Sequence, residues 1–246
     1  MISSTLGLLQ KTLALYKKNF NLFLKHTLVI VVSIMITSLI RSFILQSYLK
    51  TGTLPPLPIV LGMIGIILLL SFVTLWGTVT LIRIIGQSST GKPVDSFFKE
   101  IFLSFPMLFS VLWVIILFSL CVFAGLLLFF IPAVVFSLWF FFSIYARIFD
   151  NQKGTNALRF SKKLVEQDWA KILWIIVSTF LLIFGTLNLG ETMTEFIFTF
   201  LSQIMGSPLF AIFGVLINLI ANILFAPMYI IAFTLLYLEL KALKSV

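Results

Sequence analysis

The chain has 246 residues, of which 61% are hydrophobic and only 10% are charged. Soluble domains carry about 25% charged residues, so this chain has too few polar side chains to cover a water-exposed surface, and a soluble globular fold is excluded. The excess of 17 Lys and Arg over 8 Asp and Glu accompanies no nucleic-acid-binding motif, so we expect no nucleic acid partner. The composition predicts an integral membrane protein.

Long charge-free runs predict the membrane spans. A bilayer core of about 30 Å requires about 20 helical residues. The uncharged run between Glu100 and Arg147 is too long for one crossing, so it predicts a hairpin with its turn near Gly125 to Pro132. Pro227 is expected to kink the last span. The six predicted spans are residues 26–47, 59–82, 105–127, 132–146, 172–189 and 209–238.

Amphipathic segments precede alternate spans, at residues 4–21, 95–104 and 155–170. In the first of these, Leu6, Leu9, Leu13 and Tyr16 recur at spacings of three and four, which predicts one apolar face. The predicted fold is therefore an all-α, polytopic helical bundle of six transmembrane helices in three hairpins, each preceded by a basic interfacial helix. Residues 191–205 predict a further interfacial helix on the outer leaflet, with a re-entrant segment as the alternative.

The distribution of basic residues predicts the orientation. Of the 17 Lys and Arg residues, only Arg41 and Lys50 fall on one side of the predicted spans, and the other 15 fall on the side that carries both termini. The positive-inside rule therefore predicts a cytoplasmic N-terminus and C-terminus. Anionic lipid headgroups at that face are the expected partners.

Three asparagines are candidates for a polar site inside the membrane. Asn218 and Asn222 share one face of the sixth span, Pro227 lies one turn beyond them, and Asn188 lies in the fifth span. In lipid, such amides commonly hydrogen-bond between helices, so one interpretation is helix packing. The alternative is a polar cavity that accepts a substrate or a lipid headgroup.

Charged residues near the cytoplasmic ends of the spans form a second candidate group. Arg83, Arg147 and Glu239 are explained either as topological anchors or as a cluster in which Glu239 pairs with one arginine while the other binds a lipid phosphate. Arg159, Lys162 and Lys163 give the amphipathic segment 155–170 a basic face. That face is expected to contact anionic lipid.

Sequence motifs for catalysis are missing. The chain contains no P-loop, nucleophile elbow or H-E-x-x-H motif, and its one histidine, His26, has no ligand partners in the sequence. We therefore predict no catalytic, cofactor-binding or metal-binding residues. The favoured hypothesis is a non-enzymatic membrane module that organises lipid or partner proteins. A small transporter or lipid-translocating protein is the second, and a membrane enzyme using His26, Arg83 and Glu239 is the third.

Several stretches resemble a known family. The segments Tyr145 to Asp150 and Ala157 to Leu164, and the tail from Pro227 to Lys241, resemble prokaryotic six-span proteins of the glycerophosphodiester phosphodiesterase membrane-domain type. The resemblance implies a prokaryotic cell membrane. In some relatives this domain precedes a hydrolytic barrel. Since the sequence ends at Val246, just after the sixth predicted span, we expect no barrel and carry over no hydrolase residue.

Overall fold

The computed structural model describes residues 3–52, 55–207 and 209–244, and this part of the chain is an all-α bundle, as predicted. Six helical segments are long and apolar enough to cross a membrane, so the protein is a multi-pass integral membrane protein. The helices of the described residues are α1 (Thr5–Lys18), α2 (Phe20–Thr51), α3 (Leu57–Ser89), α4 (Phe97–Leu128), α5 (Phe130–Phe140), α6 (Ser143–Asp150), α7 (Thr155–Glu166), α8 (Trp169–Met205) and α9 (Leu209–Lys244).

The membrane helices pack as three hairpins: α2 with α3, α4 with α5 and α6, and α8 with α9. The turn of the second hairpin is a single residue, Phe129, within the range predicted for it. Gly125 lies in this hairpin where a Cβ atom would come within 2.9 Å of the backbone of Ala133, so glycine permits the close approach of the two helices. Gly52 and Gly206 end α2 and α8 at positive φ, which glycine adopts without strain.

Buried side chains concentrate at one end of the bundle, where α1, α7, the α3 to α4 connection and the end of α9 lie. We call this end the basic face. Phe23, Leu81, Phe142, Leu164 and Tyr237 are fully buried there. The other end has fewer buried side chains, and α3 has none between Leu57 and Ser71. The exposed apolar side chains of that half require lipid around them.

Two segments predicted as separate interfacial helices are parts of membrane helices. Residues 95–104 do not form their own helix, because α4 begins at Phe97 and continues through Pro106. Residues 191–205 form the last part of α8, which passes through Gly190 without a break. The prediction of a separate helix is therefore wrong, whereas the place of this segment relative to the outer leaflet stays a prediction. A single glycine lowers helix stability by only about 1 kcal/mol, which tertiary packing overrides.

The predicted span 132–146 is interrupted in the structure. Helix α5 ends at Phe140 and α6 starts at Ser143, so the backbone between them lacks some of its helical hydrogen bonds. The hydroxyl of Ser161 on α7 accepts a hydrogen bond from the Phe142 N–H at 3.0 Å and donates to the Trp139 carbonyl at 2.7 Å. One side chain thus satisfies two backbone groups on either side of the break.

Helix α1 packs against the bundle along α9. Its buried face is Leu8, Thr12 and Tyr16, whereas Leu6 and Leu13 from the predicted apolar face are 70% and 42% exposed. The buried face of α1 thus differs from the predicted one and includes a polar residue, Thr12. The hydroxyl of Thr12 donates to the Leu8 carbonyl of its own helix at 2.8 Å. A polar side chain satisfied in this way packs at low cost.

Candidate functional site

A cavity of about 530 Å³ lies between α2, α8 and α9. Its residues recur at spacings of three and four on each helix, so it is lined by one continuous face of each. Most of the lining side chains are apolar, and the polar ones lie mainly at one end. The lining residues are Val31, Ile34, Met35, Ser38, Phe180, Ile183, Phe184, Leu187, Asn188, Glu191, Leu219, Asn222, Ala226 and Tyr229.

The polar end of the cavity joins α8 to α9. The side-chain amide of Asn222 donates to the Glu191 carboxylate and to the Asn218 backbone carbonyl, the latter at 3.0 Å. The Asn188 side-chain amide donates to the Phe184 carbonyl of its own helix at 2.8 Å. Because these amides donate to protein groups, the polar end offers oxygen acceptors, including the carboxylate of Glu191, to a ligand.

The structure brings together two of the four residues predicted for a polar cavity. Asn188 and Asn222 line it directly, whereas Asn218 contributes its backbone carbonyl. Pro227 is buried next to Ala226, which is a lining residue. Glu191 was not predicted here, because the sequence placed it in a separate surface helix. The sequence does contain one indication: Glu191 lies three residues after Asn188, so the two side chains share a face if the helix continues.

Arg83 belongs to a buried polar group at the basic face. Its Nε lies 3.6 Å from Oε2 of Glu100, a residue that is only 1% exposed. The buried ring of His26 packs on Phe97, one turn before Glu100, with 4.6 Å between ring centroids. Nδ1 of His26 is 2.8 Å from the Leu22 carbonyl, and its Nε2 has no partner in the described residues. Glu100 was not among the predicted residues.

Glu239 pairs with a lysine, so the predicted alternative of a Glu239 to arginine pair is wrong. Its carboxylate accepts hydrogen bonds from Lys11 and, at 2.9 Å, from the Ser3 hydroxyl. The docking of α1 on α9 places Lys11 beside it. Arg147 is 6% exposed and donates to the Ser110 hydroxyl at 2.6 Å and to Asn151, so it holds α4 against α6.

The remaining predicted basic residues lie on α7. Arg159 and Lys163 are exposed. Nζ of Lys162 lies 4.2 Å from the centroid of the Trp139 ring and 4.0 Å from Glu166. The predicted group is thus spread over separate local contacts and exposed positions rather than forming one cluster.

Asp150 forms a further ionic contact that the sequence did not reveal. Its carboxylate accepts from the Tyr237 hydroxyl and from Lys241, which are one turn apart on α9. The contact joins residues separated by about 90 positions in the chain, and no local spacing predicts it.

No family model, curated protein or solved structure matches the chain. Its class therefore follows from its own geometry. The six apolar helices define a multi-pass integral membrane protein, and the main candidate site is the cavity between α2, α8 and α9.

Proposed function

We propose that the protein is a non-enzymatic membrane module that binds an individual membrane lipid between α2, α8 and α9. The observation that carries this proposal is the cavity itself, which combines a long apolar wall with a polar end. Its volume of about 530 Å³ lies in the range of about 300 to 1,000 Å³ that is typical of small-molecule sites. A lipid has the same division into an apolar chain and a polar headgroup.

The polar end is what distinguishes this cavity from an ordinary gap between helices. An acyl chain gains little from moving out of the bilayer, because lipid tails are as apolar as the leucines that would surround it. Retention of one lipid therefore depends on hydrogen bonds between its headgroup and Asn188, Glu191 or Asn222. Such bonds are stronger in a weakly polar environment than in water.

The basic face supports a second part of the proposal, that the module lies in a prokaryotic cell membrane with this face in the cytoplasm. Exposed Arg159 and Lys163 on α7 suit contact with anionic headgroups. Each base near an anionic leaflet contributes about 1 kcal/mol. Membership of the family that the sequence resembles is a further proposal, and the six-span architecture is compatible with it. Recruitment of partner proteins to this face is part of the same hypothesis.

Native mass spectrometry of the detergent-solubilised protein tests lipid binding. We expect one lipid to remain bound after collisional removal of the detergent. Leu219→Trp fills the cavity and is expected to abolish that retention, whereas Leu120→Trp adds the same side chain to an exposed position of α4 and is expected to leave it unchanged. The proposal is contradicted if Leu219→Trp retains the lipid as Leu120→Trp does, or if the wild-type protein retains no lipid.

Translocation is the second candidate function, and it is favoured by the position of the polar end within two long membrane helices. Polar groups midway along transporter helices commonly bind the transported molecule. A transporter predicts flux of solute or flipping of labelled lipid in proteoliposomes, and predicts that Asn222→Leu abolishes this activity. Absence of flux in the wild-type protein, together with retained lipid, favours the binding module.

A further inference from the structure

We infer that the lipid headgroup recognised by this cavity is zwitterionic, with an amine placed at Glu191 and a phosphate placed at Arg41. The inference rests on the proposed lipid binding and specifies its substrate class. It follows from two opposite charges on different helices: Glu191 on α8, which lines the polar end of the cavity, and Arg41 on α2, which lies about one turn beyond the lining residue Ser38.

Glu191 supplies the site for the cation. It is half-buried, lines the cavity and accepts a hydrogen bond from the neutral amide of Asn222, but it forms no ion pair with any described residue. A carboxylate in this position is best compensated by a cationic donor. The ammonium group of a phosphoethanolamine lipid has this chemistry and has three N–H donors. Asn188 provides a neighbouring oxygen acceptor.

Arg41 supplies the site for the phosphate. The cavity face of α2 recurs at Val31, Ile34 and Ser38, and the next position of this face toward the end of the helix is residue 41. Arg41 is exposed and has no hydrogen bond or ion pair with the described residues. Guanidinium groups bind phosphate oxygens through two parallel N–H donors. The helical spacing therefore places this free cation about one turn beyond the lining residue Ser38, on the same face of α2.

The two charges together disfavour headgroups that lack either the cation or the phosphate. An anionic phosphoglycerol lipid can pair with Arg41 but has no cation to offer Glu191. A neutral diacylglycerol lacks the phosphate. Only a headgroup that carries both charges a few bonds apart satisfies the two side chains, and like-charge or unpaired combinations lower affinity.

Competition between two lipids with identical acyl chains tests the inference. The purified protein is incubated with equal amounts of phosphoethanolamine and phosphoglycerol lipid, and the retained lipid is identified by native mass spectrometry. We expect about a tenfold preference for phosphoethanolamine, because the free energy of one additional charge-assisted hydrogen bond corresponds to about a tenfold change in affinity. Glu191→Gln keeps the size of the side chain and is expected to reduce the preference to about twofold or less. Arg41→Gln is expected to reduce retention of both lipids.

Matched controls are Glu166→Gln, outside the cavity lining, and Lys50→Gln, which removes a positive charge at the far end of α2, about three turns beyond the lining residue Ser38. Both are expected to retain the wild-type preference. A preference that persists in Glu191→Gln, equal retention of both lipids by the wild-type protein, or unchanged retention in Arg41→Gln overturns the inference while leaving lipid binding intact. No retained lipid of either class overturns the proposed function itself.

Discussion

Ser161 determines the shape of the fourth span. Its hydroxyl lies between Phe142 and Trp139 and satisfies a donor and an acceptor that the interruption of the helix leaves free. A serine in an amphipathic helix is ordinarily read as a polar surface residue. Here it is fully buried and caps the end of another helix, α5.

Replacing Ser161 with alanine is expected to destabilise the fold by about 2 kcal/mol, because two buried backbone groups lose their partner. Thermal unfolding in detergent measures the change. Ser104→Ala is the control, since Ser104 is equally buried but bonds only to the carbonyl of its own helix. Equal losses in the two variants would show that the Ser161 bridge has no special role.

The pair of half-buried Arg83 and buried Glu100 gives a second prediction at this scale. Arg83→Leu leaves the Glu100 carboxylate buried without a cation and is expected to lower stability by about 3 kcal/mol. Arg159→Leu removes an exposed arginine and is expected to change stability by no more than about 0.5 kcal/mol. A double variant that also carries Glu100→Leu should recover most of the loss in the same unfolding assay. If the single Arg83 variant matches the control, the pair is not stabilising.

Helix α1 is held to the bundle by Tyr16, whose hydroxyl donates to the Leu224 carbonyl of α9 at 2.7 Å. Burial raises the pKa of this phenol above its ordinary value of 10.0. The folded state therefore favours the neutral phenol, so the stabilisation is complete below the unfolded pKa and is lost as the pH rises above about 10.

Tyr16→Phe is expected to cost about 1 kcal/mol at pH 8, the value of one hydrogen bond. The difference between wild type and variant should shrink at pH 10.5, as measured by thermal unfolding at both values. Tyr48→Phe alters an exposed phenol and serves as the control. A wild-type advantage that is the same at both pH values would contradict the role assigned to the hydroxyl.

The sequence predicts the number, order and pairing of the membrane helices, since charge-free runs and short turns carry that information. It does not predict where helices end. Glu100 and Glu191 appeared to limit their spans, but each lies within a continuous helix because it has a partner from another helix. The break at Phe141 and Phe142 has no local signal, as it depends on Ser161 from another element.

The candidate site was predictable only in part, again because its contacts join different helices. The asparagines could be recognised within the predicted spans, whereas Glu191 could not, since its partner Asn222 lies on another helix.

The helices of the last hairpin are longer than the bilayer requires. Helix α9 has no charged residue from Leu209 to Leu238, which corresponds to about 45 Å of apolar helix against a hydrocarbon core of about 30 Å. The hairpin must therefore tilt strongly, project beyond the bilayer or pack against another apolar surface. Its exposed phenylalanines, including Phe196, Phe200 and Phe213, require an apolar environment such as lipid or another protein surface.

Labelling of single cysteines tests the topology of the whole molecule. In a background carrying Cys121→Ser, Phe130→Cys lies at the exposed turn between α4 and α5 and should react with a membrane-impermeant reagent added to intact cells. Lys153→Cys lies on the basic face and should react only after the cells are opened. The reverse pattern would invert the proposed orientation, and reaction of both from one side would contradict the six-span topology.

The most direct test of a lipid-binding cavity is a cryo-EM map of the protein, bound to an antibody fragment, in nanodiscs that contain phosphoethanolamine lipid. We predict density for one acyl chain between α2, α8 and α9, with headgroup density adjoining Glu191 and Asn222. A cavity closed by direct packing of α2 on α8 and α9, or one without ordered lipid at a resolution where annular lipids are visible, would contradict the proposed function.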